Sequence, residues 1–184
     1  MEYVFFALAV LITLSLLLKV SIFPKTGVVA VAVVFAVWIG MLTPWLTELS
    51  KPQLMSMLEQ RDYLQNLSLL LIVEAVLMMT YCLHCFPSAS LSPARLWWQR
   101  LLNVYPGLMF GVVQGYVVGM LLFAWPGINF TTLQAGAAVS TLLLVPVGAW
   151  ALRFLLPEKA LRWELLFILN VFIILLSVVA GGKV

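Results

Sequence analysis

Leu69–Met79 reads LLLIVEAVLMM, an apolar run broken by one carboxylate, Glu74. The run is long enough to be part of a buried or membrane-crossing helix, and composition decides between the two. Hydrophobic residues make up 64% of the 184-residue chain and charged residues only 9%. A soluble domain carries roughly a quarter charged residues, so this chain could not cover a water-facing surface. Its mean hydropathy of +1.12 points the same way. The expected fold class is therefore all-α: a polytopic membrane protein in which residues 1–184 form a single integral membrane domain.

A crossing helix needs about 20 mainly apolar residues. Working outward from Glu74, six segments qualify, at about 3–22, 27–46, 66–86, 106–125, 132–156 and 163–181. Pro24, Pro87, Pro93, Pro106, Pro126 and Pro157 mark segment ends, where a missing N–H costs little, and Pro146 is expected to kink the fifth span. Glu2 stands where a secretory signal would be basic, and no small-residue cleavage site follows it promptly, so the first segment reads as a retained helix. Between spans two and three, Ser50-Lys51-Pro52-Gln53 resembles a capping box. Apolar Leu54, Met55, Leu58 and Tyr63 then alternate with polar residues at helical spacing. This predicts a short amphipathic helix at about 51–65, which, with no breaker before the third span, either continues into it as one long helix or lies on the surface and bends.

The net charge of +3 sits in short connections, which suits a topology signal and not a nucleic-acid surface. The 1–2, 3–4 and 5–6 connections hold Lys19, Lys25, Arg95, Arg100, Arg153, Lys159 and Arg162, against Lys51, Arg61 and Lys183 on the other side. The positive-inside rule then puts both termini outside, in the periplasm if the membrane is a bacterial inner membrane. Lys19, within its helix, has the reach to snorkel to the interface. Arg95, Trp97, Trp98 and Arg100 (RLWWQR) form an interfacial anchor, rings at headgroup level and guanidiniums toward phosphates.

A carboxylate at bilayer depth costs at least a few kcal/mol unless something holds it. Gln114 is central in the fourth span and Asn170 in the sixth, at depths similar to that of Glu74. Polar side chains in lipid seek partners inside the bundle. Glu74, Gln114 and Asn170 are thus the candidate proton, ion or coupling residues, and the three are expected to converge or to face a neighbouring subunit. Gly107, Gly111, Gly115 and Gly119 recur every fourth residue and make a small-residue stripe for close helix approach, with the fifth span as the expected partner or a subunit interface as the alternative. Replacing Gly115 with Leu is accordingly expected to disrupt assembly.

Cys82 and Cys85 flank His84, but both thiols fall near the expected cytoplasmic end, where thiols stay reduced, and there is no second pair to relay electrons. No G-x-S-x-G, P-loop, dinucleotide or H-E-x-x-H pattern occurs, so no enzyme, metal or cofactor is expected. The leading expectation is an accessory subunit of a larger transport or ion-coupled membrane complex, with lipids and other integral membrane subunits as partners. The alternatives are a small homo-oligomeric secondary transporter with its site at Glu74 and, last, a thiol redox enzyme using Cys82 and Cys85.

Overall fold

The computed structural model describes residues 2–48, 60–85, 102, 104–124 and 129–182. Among them are six helices: α1 Glu2–Ile22, α2 Lys25–Glu48, α3 Arg61–Cys85, α4 Met109–Ala124, α5 Phe130–Leu155 and α6 Lys159–Gly182. All but α4 are long and apolar enough to cross a membrane. Two residues join α1 to α2 and three join α5 to α6, and connections this short return the chain antiparallel. α5 continues through Pro146. Residues 61–65, the end of the expected amphipathic helix, are continuous with the third span and open α3. Gln60 stands just before that helix, and residues 51–59 and the Arg95–Arg100 anchor (Arg95, Trp97, Trp98, Arg100) lie outside the described residues.

α1 is the central helix, packing against α2, α4, α5 and α6, while α3 pairs with α6 and α2 with α5. Leu8, Ile12, Leu16 and Val20 of α1 recur at intervals of four and carry the main apolar core. Across it, Phe35 of α2 meets Phe110 of α4 edge to face, with ring centroids 4.9 Å apart. Outward faces are apolar as well: Val34, Trp38, Leu143, Trp150 and Phe172 are exposed. Water cannot favour such a surface, and lipid can.

Without a hydrophobic difference between lipid and protein interior, packing and short polar links hold the helices together. Ser68 of α3 donates to the Ser177 carbonyl of α6 at 2.9 Å. Asn170 of α6 donates to Ser15 of α1 at 3.2 Å and to the Leu166 carbonyl at 2.7 Å. Each such bond contributes on the order of 0.6 kcal/mol.

One end of the bundle is basic. It gathers the C-terminal ends of α1 and α5 and the start of α6, and with them Lys19, Lys25, Arg153, Lys159 and Arg162. Lys19 does not snorkel. It is fully buried, donates to the Leu102 carbonyl at 3.1 Å and lies over the Tyr81 ring. Its place in the last turn of α1 also matches the negative end of that helix dipole.

Candidate functional site

Glu74 lies at mid-length of α3, and α4 begins beside it. The local sequence explains why a helix begins there: Tyr105-Pro106-Gly107-Leu108 precedes Met109, and Pro and Gly together break any helix arriving from upstream. Gly107 adopts φ of +109°, a backbone state that side chains disfavour. The new helix then starts with an apolar residue, Leu108, at the position where Ser, Asp or Asn normally accepts hydrogen bonds from the first N–H groups. The Leu108 side chain has no oxygen to offer.

Glu74 supplies the missing acceptor from another helix. Its Oε2 accepts from the Leu108 N–H at 3.2 Å and the Met109 N–H at 3.0 Å, and Oε1 stands 3.2 Å from the same Met109 nitrogen. The Tyr105 hydroxyl donates to Oε2 at 3.2 Å. A carboxylate at a helix N-terminus also meets the positive end of the dipole, which adds to the attraction. The lone acidic group is therefore held by backbone and phenol donors rather than by a basic side chain. α4 has 16 residues and spans about 24 Å, short of a full crossing. In the irregular backbone before it Gly107 is buried and Tyr105 and Pro106 are half-buried, while the N–H of exposed Leu108 is satisfied by Glu74.

Beside the carboxylate is a cavity of about 20 Å³, lined in part by Ser15, Glu74, Pro106, Gly107 and Asn170. It has room for about one water molecule. The structure thus places Glu74 and Asn170 around one small void. Gln114 is elsewhere: its Nε2 donates to Thr141 of α5 at 2.9 Å, and its Oε1, though buried, has no partner among the described residues. It borders a lateral groove of about 460 Å³ between α2, α4 and α5, whose walls include Gly136, Ala137 and Ser140.

The glycine stripe turns mainly toward α2, and not toward α5 as the spacing suggested. A Cβ on Gly111 would stand 2.8 Å from Trp38 Nε1, and one on Gly115 2.9 Å from Leu42 Cδ2. Trp38 closes this contact by donating to the Gly111 carbonyl at 3.3 Å. Gly119 is buried on the same helix, and Gly107 belongs to the turn before it. Gly115→Leu is accordingly expected to destabilise the chain itself, by about 1–3 kcal/mol through overpacking against α2. Unfolding in mixed micelles checks this, and wild-type stability would exclude the close contact. Cys82 is buried in an apolar cluster with Leu18, Leu102 and Leu166, whereas the Cys85 side chain lies outside the described residues.

No protein-family model matches this sequence, and no curated protein or solved structure matches it either.

Proposed function

We propose that this protein is an accessory integral membrane subunit that holds, seals or couples a partner in a transport or ion-coupled complex. The setting is a bacterial inner membrane, crossed six times, with both termini periplasmic. The sixth crossing is the α4 helix completed by the chain that precedes it. The observation that carries this reading is the contrast between interior and flank. The mid-depth carboxylate is already engaged by α4, and the void beside it, about 20 Å³, has room for about one water and is too small for an organic solute. The open space is lateral, in the groove beside α5.

A partner's transmembrane helix suits that groove. Small residues let backbones approach closely, and the unmet Oε1 of Gln114 would accept a hydrogen bond from an incoming polar side chain. At Gly136 an added Cβ would touch nothing within the chain. Gly136→Leu is therefore expected to leave the isolated chain as stable as wild type, or slightly more so through better helix propensity, while displacing the partner. Affinity purification at native expression in mild detergent tests both halves. Wild type should retain other integral membrane polypeptides in fixed ratio, and Gly136→Leu should lose them. Retention of the same polypeptides by Gly136→Leu would remove the groove from the account.

The transporter alternative draws on one specific feature, a helix that starts at mid-depth beside a polar void. A monodisperse homo-oligomer that moves a solute across liposomes on its own would establish that alternative in place of the subunit.

A further inference from the structure

At the basic end, two guanidiniums converge on one oxygen. Arg153 Nε donates to the Ser21 carbonyl at 2.7 Å, and Arg162 Nη1 donates to the same carbonyl at 2.8 Å. Arg153 Nη2 also donates to the Phe23 carbonyl, and Arg162 Nη2 reaches the Pro157 carbonyl at 3.4 Å. These carbonyls end α1 and precede α6, and the negative end of the α1 dipole draws cations to them. A carbonyl carries only partial charge, however, and it does not balance two full positive charges.

Among the described residues neither arginine forms an ion pair. The nearby carboxylates in sequence, Glu158 and Glu164, are exposed, as are the cations Lys25 and Lys159. Arg162 is 5% exposed, and its Nε–H has no hydrogen-bond partner among the described residues. Arg153 is half-buried, and among the described residues its hydrogen bonds come from Nε and Nη2. The pair sits where α5 ends and α6 begins, the level at which headgroups meet a crossing helix.

We propose that Arg153 and Arg162 form a binding site for a phosphate-bearing anion, which supplies the missing counter-charge. Guanidinium forks match phosphate oxygens in geometry as well as charge. The anion is either the headgroup of an anionic lipid or a free phosphate, and both present the same oxygens to Arg153. The site would exist whether or not the chain works within a complex.

The test uses the full chain purified in a non-ionic detergent and follows its thermal unfolding. The probes are diheptanoylphosphatidylglycerol, diheptanoylphosphatidylcholine as the net-neutral control, and inorganic phosphate. Near-saturating phosphatidylglycerol is expected to raise Tm by about 5 °C. A rise with phosphatidylglycerol alone assigns the headgroup, and a rise with inorganic phosphate as well assigns the phosphate group itself. Arg153→Gln should lose at least about half of the rise, and Lys159→Gln, on the neighbouring exposed surface, should keep it. Arg153→Lys preserves the charge without the fork, serves if Arg153→Gln does not fold, and should also lose part of the rise. The proposal is overturned by no rise with either probe, by a full rise in the Arg153 variants, or by an equal loss in Lys159→Gln.

Discussion

Glu74→Leu is expected to destabilise the protein by about 3 kcal/mol. Leucine fits an apolar helix better than glutamate, so by lipid solubility alone the change should stabilise. The opposite sign follows from what the carboxylate holds. The Leu108 and Met109 N–H groups and the Tyr105 hydroxyl all point at it. A buried donor left without a partner costs about 1–3 kcal/mol, and of the three the Met109 N–H belongs to a buried residue. Part of that is recovered by burying more apolar surface and by fraying of the first turn of α4. Glu74→Gln should cost less, about 1 kcal/mol, because the amide keeps one acceptor oxygen and its NH₂ can donate to a rotated Tyr105 hydroxyl. Reversible unfolding in mixed micelles gives both values. If Glu74→Leu is as stable as wild type, the carboxylate does not organise α4.

Gly107→Val is the second large effect, again about 3 kcal/mol. Two separate causes act at this position. With φ of +109°, any β-branched residue is strained by roughly 1–3 kcal/mol. A Cβ would also stand 2.9 Å from Glu74 Oε1 and 3.2 Å from Met78 Cε, so the carboxylate must move off the N–H groups it serves. The two substitutions therefore damage one unit. In the double variant their costs should fall short of additivity by about 1 kcal/mol or more. Strict additivity, measured in the same unfolding assay, would mean that Gly107 and Glu74 act independently.

Much of the fold was legible because helix length and apolar composition are local properties. The six segments expected from hydropathy correspond to the six described helices within a few residues, as with 27–46 against Lys25–Glu48. At α3 the start at Arg61 agrees with the absence of any breaker before residue 66, which left a continuous helix open. Partnerships were harder to read. Spacing identified the Gly111 and Gly115 face, yet only tertiary packing set α2 against it. Lys19 near a helix end looks the same whether it snorkels or turns inward, and the deciding neighbours, Tyr81 and the Leu102 carbonyl, are remote in sequence.

At the candidate site, sequence singled out Glu74 for its oddity and missed the reason for its presence. The signal was divided between two places. One was a carboxylate without a basic mate. The other was a Pro106-Gly107 break followed by a helix start at Leu108 with no capping side chain of its own. Each is ambiguous alone, and together they specify a cap donated from another helix. Arg153 and Arg162 were read only as topology signals, because their convergence on Ser21 depends on three helix ends meeting.

The most direct measurement is the backbone amide proton shift of Leu108 and Met109 by NMR, in wild type and in Glu74→Leu, with Val145 of the buried core as an internal control. Hydrogen bonds to a carboxylate place both amides downfield in wild type. The variant should move them upfield and leave Val145 in place. Leu108 and Met109 resonances that coincide in the two proteins would contradict the claim that Glu74 caps α4.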